Sequence, residues 1–136
     1  MDIRETRQVN DTRAKVVLEL PWPPSMNNYW RHVGHKTMLS AAGRIYRHAV
    51  AGAVLEQRAA RHFAGRLSVI VQAYPPDRRR RDLDNMLKAV LDALEAAGVY
   101  EDDSQIDELL IRRMGVVPNG GITVYIWEEA TNGEAE

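Results

Sequence analysis

The sequence predicts an α+β domain with a β-α-β-α-β-β core, in which helices pack on a mixed or mainly antiparallel sheet. Three observations predict this class: short apolar runs that end at proline or glycine, two stretches with helical periodicity, and a turn motif between the last two runs. The chain has 136 residues, of which 45% are hydrophobic and 27% are charged, and this composition is typical of one folded domain.

The first half of the chain contains a strand and a helix. Val16 to Leu20 is a short apolar run closed by a proline, which is typical of a strand. The segment 21–28 (PWPPSMNN) is expected to be extended because its prolines lack a backbone N–H. Residues 36–39 weakly indicate another strand. Ser40 is the expected cap of a helix that runs to about His62, with an apolar set of Ile45, Val50, Val54 and Leu55.

The second half contains a strand, a helix and two further strands. Apolar residues alternate with more polar ones in 67–73, which predicts a strand. The next helix is expected to begin near Asp82 and to end at Gly98, a left-handed cap. Its apolar stripe consists of Leu83, Leu87, Val90, Leu91 and Leu94. Residues 118–121 (PNGG) separate the last two apolar runs, which predicts a β-hairpin.

Several functional classes are excluded by composition. The chain has no cysteine, so disulfides, thiolate metal sites and cysteine nucleophiles are ruled out, and a cytoplasmic location is expected. No apolar run approaches the roughly 20 residues that span a bilayer, and the charged start does not resemble a signal peptide. We expect the folded domain at 15–129, with a flexible N-terminal extension at 1–14 and a flexible tail at 130–136.

The charges are segregated along the chain although the formal net charge is only -1. Residues 29–48 contain no acid and carry the basic residues Arg31, Lys36, Arg44 and Arg47. A second basic run consists of Arg78, Arg79, Arg80 and Arg81. Acids gather at 82–84, at 101–108 and in the tail. Basic surface beside an acidic cluster is equally compatible with a site that acts on phosphate and with an ordinary protein of near-neutral charge.

Asp82 and Asp84 are the candidate metal ligands that the residues themselves suggest. Two carboxylates placed together at the start of a helix repel each other unless a cation neutralises them. A set of oxygen ligands selects hard ions such as Mg²⁺ or Mn²⁺. The competing interpretation is that Asp82 caps the helix and Asp84 favours its dipole. The four preceding arginines, and a second acidic cluster after the helix at 101–103, favour the metal site.

Other residues near this junction keep two interpretations. Lys88 is a candidate catalytic lysine or a surface ion-pair partner of Asp84, four residues before it. The arginine run is a phosphate-binding loop or a solvated charge run. The helix is about 20 Å long, so Asp103 must return along the chain to meet the pair, and spacing does not decide whether it does.

The stretches LPWPPSMNNYWRH and YPPDRRRRDLDNMLKAVLDALEAAGVYEDDSQID strongly resemble the RusA family of Holliday junction resolvases, small proteins that prophages often encode. The resemblance covers about residues 16–128. It implies a homodimer that binds four-way DNA junctions and, with Mg²⁺ or Mn²⁺, makes paired symmetric nicks in recombination and repair. The implied metal ligands are Asp82, Asp84 and Asp103, with Lys88 as the essential lysine. It also implies that Asp102 is an auxiliary ligand and that the motif arginines, particularly Arg81, contact the DNA phosphate backbone. Asn27 and Asn28 match the family's N-terminal signature without an assigned role.

The predicted chemistry is metal-assisted hydrolysis of DNA phosphodiesters. The basic residues of 31–47 are expected to track the DNA arms, and Trp22, Tyr29 or Trp30 could stack on unpaired bases or, as is more common, pack onto the core. Two alternatives remain open: a Mg²⁺-dependent nuclease for flaps or single strands, and a DNA-structure-binding protein whose acids are only caps. A nucleotide-binding regulator has little support because the chain has no glycine-rich phosphate loop.

Overall fold

The computed structural model describes residues 16–129, so the predicted terminal segments 1–14 and 130–136 lie outside the described residues. A 3₁₀ turn at Asp103–Gln105 precedes the fifth strand. No helix among the described residues has the length and apolar character needed to cross a bilayer. The elements in chain order are β1 (Val16–Leu20), α1 (Met26–Tyr29), β2 (Trp30–Val33), β3 (Lys36–Leu39), α2 (Ala41–Glu56), β4 (Leu67–Tyr74), α3 (Leu83–Ala96), β5 (Ile106–Arg113) and β6 (Gly121–Glu128).

The main sheet has four strands in the order β1-β6-β4-β5. β6 is antiparallel to both of its neighbours, whereas β5 is parallel to β4, so the sheet is mixed and the predicted α+β class is confirmed. β2 and β3 form a separate antiparallel pair, which we call the β2–β3 ribbon, and this confirms the weakly indicated strand at 36–39. Most of the ribbon is exposed to solvent.

The predicted hairpin between the last two strands is wrong. The turn itself forms, because Asn119 and Gly120 both adopt positive φ and the Gly120 N–H donates to the Val117 carbonyl at 2.9 Å. However, β4 lies between β5 and β6 and pairs with both of them. The connecting segment instead bonds to the end of β4, with the Val117 N–H donating to Pro75 at 3.0 Å. β4 is thus buried on both faces and hydrogen-bonded on both edges.

α2 begins where the sequence predicts and ends earlier. The Ser40 hydroxyl accepts from the Gly43 N–H, which confirms the cap. The helix ends at Glu56 rather than near His62 because the Gln57 amide turns to the edge strand β1. There it accepts from the Glu19 N–H at 2.9 Å and donates to the Glu19 carbonyl at 2.8 Å, as a neighbouring strand would.

The apolar face of α2 was predicted only in part. Val50 and Val54 are buried as expected, together with Tyr46. Ile45 and Leu55 point to the opposite side and are 70% and 77% exposed. The reason is that the helix packs through positions spaced by three and four residues from Gly43, and these two residues lie off that face.

α3 matches its prediction closely. Val90, Leu91 and Leu94 are buried, and Leu83 and Leu87 pack against the core, so the predicted stripe faces the sheet. Gly98 follows the last helical turn with φ +85°, which confirms the left-handed cap. This packing places Asp82 and the exposed face of α3 at the surface.

A matched pair of alanine variants tests the packing of α2. A Cβ at Gly43 would lie 2.4 Å from the Tyr29 carbonyl, whereas a Cβ at Gly52 meets nothing within 4 Å. Gly43→Ala is expected to destabilise the protein by about 1–3 kcal/mol. Gly52→Ala in the same helix should stabilise it by roughly 0.5–1 kcal/mol. Urea unfolding followed by circular dichroism measures both, and equal effects would contradict the close approach at Gly43.

Candidate functional site

Asp82 and Asp84 lie at the start of α3 with both carboxylates exposed. Asp82 occupies the N-cap position but makes no capping hydrogen bond through its side chain, and Asp84 lies in the first turn. Within residues 16–129 neither carboxylate has a hydrogen-bond or ion-pair partner. The capping interpretation therefore does not account for Asp82, and both groups are available to a cation.

Lys88 lies one turn after Asp84 on the exposed side of α3. No salt bridge joins Lys88 to Asp84 or to another acid in the described part of the chain. The surface ion-pair interpretation is thus not realised, and the ammonium group is available to a bound phosphate.

The arginine run 78–81 contains one fixed residue among more exposed ones. The Arg81 guanidinium lies 2.8 Å from the Asp77 carboxylate and 5.7 Å from the centre of the Trp22 ring. Arg113 donates to the Arg81 carbonyl at 2.9 Å, which ties the loop to β5. The Arg81 side chain is only 20% exposed, whereas that of Arg79 is 77% exposed. The loop therefore has a rigid base at Arg81 and presents the other three arginines to solvent.

The arginine loop changes the pKa of Asp77. The hydrogen bond from the Arg81 side chain, followed by that from the Arg79 backbone N–H, lowers the pKa of Asp77 from 3.8 to about 2. Asp77 thus remains charged and holds Arg81 at all ordinary pH values.

Asp103 lies at the opposite end of the sheet from Asp82 and Asp84. β4 leads into the arginine run, α3 runs back alongside it, and Asp103 directly precedes β5, which is parallel to β4. An eight-residue strand spans about 26 Å, so the acids at the two ends of α3 cannot share one ion within a chain. The single chain does not bring the three predicted ligands together.

Asp103 instead joins Glu95 and Asp102, and one ligand oxygen from each lies within 4.8 Å of the others. The Asp103 N–H donates to Glu95 at 3.1 Å. Asp102 caps the 3₁₀ turn by accepting from the Ser104 N–H, and this hydrogen bond lowers the pKa of Asp102. These acids could hold a hard cation. Sequence reasoning missed Glu95, although it follows Asp84 and Lys88 along the polar side of α3.

Gln105 fixes this acidic loop and was also missed. Its side chain is buried, and its amide oxygen accepts from the N–H groups of Glu101 and Asp102. Its amide nitrogen donates to the carbonyls of Phe63 and Gly65. The backbone before Asp103 is thereby held to the core. The spacing of Asp102 and Gln105 is a capping-box pattern that could have indicated the local bonds, whereas the bonds to Phe63 and Gly65 have no sequence signal.

Tyr29 and Arg47 belong to a partly buried network with Asp92 on α3. Arg47 makes two hydrogen bonds to the Asp92 carboxylate, at 2.8 and 2.9 Å, and Tyr29 donates to the same carboxylate. Burial, followed by this hydrogen bond, raises the pKa of Tyr29 to about 12. Tyr29 is completely buried, so the suggestion that it stacks on bases is wrong. Trp22 and Trp30 are partly buried against the core.

The remaining predicted contacts are exposed. Asn27 and Asn28 lie on α1, beside the arginine run. Arg31 and Lys36 lie on the β2–β3 ribbon, and Arg44 lies on the first turn of α2 with its guanidinium bonded to the Leu39 carbonyl at 3.0 Å. The ribbon and the arginine run thus supply the cationic surface, whereas the Arg47 guanidinium is engaged by the fold.

Comparison with known proteins agrees with the resemblance seen in the sequence. The family model described as Endodeoxyribonuclease RusA matches residues 21–126. The crossover junction endodeoxyribonuclease RusA of Escherichia coli strain K12 is 40% identical over 111 residues, which cover 82% of this chain and 92% of that protein. The protein of the same name from Enterobacteria phage HK97 is 42% identical over 109 residues, or 80% and 91% of the two chains. The chain belongs to the endodeoxyribonuclease RusA family.

The pKa of Asp77 tests the rigid base of the arginine loop. Because the folded pKa is lowered, the interaction with Arg81 stabilises the fold above pH 3.8 and is lost as the pH falls through about 2. In Arg81→Gln the pKa of Asp77 should rise towards 3.8, as followed by carboxyl carbon NMR. Arg80→Gln is the matched control and should leave it unchanged. An unchanged pKa in Arg81→Gln would assign the effect to the Arg79 N–H alone.

Proposed function

We propose that this protein is an endodeoxyribonuclease that resolves four-way DNA junctions by paired symmetric nicks and requires a divalent metal ion. Family membership and the names of the relatives support the reaction. The observation that carries the metal requirement is the pair of exposed carboxylates of Asp82 and Asp84 beside an arginine-rich loop, neither of which has a partner within residues 16–129. Carboxylates without a compensating partner at one helix end form a donor set that suits Mg²⁺ or Mn²⁺.

The roles of the residues follow from their chemistry. A bound Mg²⁺ ion would supply Lewis acidity and activate water. Asp82 and Asp84 would hold it, and the exposed Lys88 would place a further positive charge at the scissile phosphate. The exposed arginines of 78–80 would bind neighbouring phosphates, while Arg81 maintains the shape of the loop.

We propose that Asp103 takes part through a second copy of the chain. In a twofold dimer with antiparallel α3 helices, Asp82 and Asp84 of one protomer would approach Asp103 of its partner. The argument rests on the separation of these residues to opposite ends of α3. Such a dimer would present two equivalent sites, as two symmetric nicks require.

The β2–β3 ribbon is proposed to contact the DNA arms. It projects from the main sheet, carries Arg31 and Lys36, and is exposed along both strands. Arg44 follows at the start of α2. Arg47 is the weaker candidate, since DNA would have to compete with Asp92 for its guanidinium.

A nicking assay tests the reaction and the site together. The protein should make symmetric nicks in a labelled synthetic four-way junction with Mg²⁺ or Mn²⁺ and none with a chelator. Asp84→Asn and Lys88→Met should bind the junction but cut it about 10²–10³-fold more slowly. Glu56→Gln, which changes an exposed carboxylate at the end of α2, is the control and should cut normally.

The same assay separates the competing functions. Equal cutting of flaps or single strands would identify a nuclease without junction selectivity. Junction binding by wild type and Asp84→Asn, with no cutting by either, would identify a structure-binding protein. Normal cutting by Asp84→Asn would refute the site assignment and leave the reaction standing.

Mixed dimers test the contribution of the second protomer. Asp84→Asn and Asp103→Asn are each expected to lose nearly all cutting activity alone. In a mixed dimer, a site shared between protomers leaves one site intact and the other doubly altered, so single nicks should return. Sites contained within each chain would both remain damaged, and the mixture would stay inactive. Analytical ultracentrifugation of the mixture verifies that dimers form.

A further inference from the structure

A polar cleft of about 460 Å³ lies between α1 and the arginine run. Asn27 and Asn28 line one side, Arg79, Arg80 and Asp82 line the other, and Trp22 also lines the cleft. The cleft therefore opens directly beside one of the proposed metal ligands. It also contains Asn27 and Asn28, whose side-chain amides bond to nothing within residues 16–129 and have no role in the proposed chemistry.

The α1 wall is rigid although it is only one turn long. The N–H groups of Asn28 and Tyr29 both donate to the Ser25 carbonyl, at 2.9 and 2.8 Å. The Ser40 hydroxyl bonds to the carbonyls of Asn28 and Tyr29 from the other side. Asn27 and Asn28 are nevertheless exposed, and their side-chain amides have no partner within residues 16–129. The backbone is thus fixed while two amides remain free to bind a ligand.

The opposite wall is equally well defined. Asp77 and the Trp22 ring hold Arg81, as described above. The turn at Gly120 packs closely on Trp22, since a Cβ there would lie 3.0 Å from the Trp22 Cβ. The two walls are joined because the Met26 N–H donates to the Asn85 side chain on α3 at 3.0 Å. The shape of the cleft is therefore built into the fold.

The cleft combines three kinds of group. Exposed arginines bind phosphate. Arg81 lies over the Trp22 indole at a cation–π distance, and these planar groups offer a flat surface. Asparagine amides donate and accept hydrogen bonds at once, which matches the edges of nucleobases. A cleft of this volume is in the range of small-ligand sites. A free metal ion would take amide oxygens, but it would use neither the amide N–H donors nor the flat surface.

We propose that this cleft receives one unstacked nucleotide of the DNA strand next to the scissile phosphate. Arg79 and Arg80 bind its phosphate, and Asn27 and Asn28 contact the edge of its base, which gives the protein a base preference. The inference rests on the proposed function, because it assumes that DNA is the substrate and that Asp82 lies next to the scissile phosphate.

Binding without metal tests the inference separately from cutting. Junctions that differ in one base at each position around the crossover are titrated in a chelator. The wild-type protein should prefer one base at one position by at least about fivefold. A 2-aminopurine placed at that position should become brighter on binding, since unstacking relieves its quenching.

Two variants distinguish base contacts from phosphate contacts. Asn27→Ala combined with Asn28→Ala should abolish the preference and the fluorescence change while retaining most of the affinity. Arg80→Ala should weaken binding to every junction by a similar factor, lower the salt dependence by about one ion, and keep the preference. Thermal melting checks that both variants are folded.

The inference is overturned if the wild-type protein binds all the junctions equally, or if the double asparagine variant keeps the preference. A parallel nicking assay with Mg²⁺ separates the two proposals. A preference that depends on the asparagines in a protein that does not cut supports the cleft and refutes the metal chemistry. Metal-dependent cutting without any base preference supports the metal chemistry and refutes the cleft.

Discussion

The arrangement of β4 determines where the functional residues lie. This strand is hydrogen-bonded along both edges and buried on both faces, so it cannot shift without disrupting the core. Its end leads into the arginine run and the start of α3, and its beginning aligns with the start of β5. Acids adjacent to these elements are therefore kept far apart within one chain. A proposal that all three carboxylates hold metal must then involve a second copy.

The features that the sequence predicts well are local. The stripe of α3, the cap at Ser40 and the positive φ of Gly98 each depend on residues within a few positions of one another. The hairpin prediction failed for the same reason, because the turn at Asn119 is local but the partner of each strand is not. Asp82 and Asp84 were proposed as metal ligands because they lie close together in the sequence. The position of Asp103 depends on the topology of the sheet, which no periodicity reveals.

Several contacts that hold the site in shape join segments that are distant along the chain, so the sequence does not predict them. Gln105 and Asn85 use side-chain amides to bond backbone groups of other segments. Arg47 and Tyr29 converge on Asp92, one turn beyond Lys88 on α3. The sequence suggested Tyr29 and Arg47 as DNA contacts, and it did not predict that both bond to Asp92. The contacts of Asn85 and Asp92 join α1, α2 and α3. The proposed catalytic face is therefore stabilised by hydrogen bonds as well as by apolar packing.

The separation of charge along β4 also determines what a polyanion experiences. The arginine run lies at one end of the strand, and Glu95, Asp102 and Asp103 lie at the other. The distance between the ends exceeds the Debye length of about 10 Å at 0.1 M salt. Charges at the two ends therefore act on their surroundings largely independently of each other. The net charge of -1 therefore does not describe the charge that a polyanion meets at the arginine run, where Arg78, Arg79 and Arg80 are exposed.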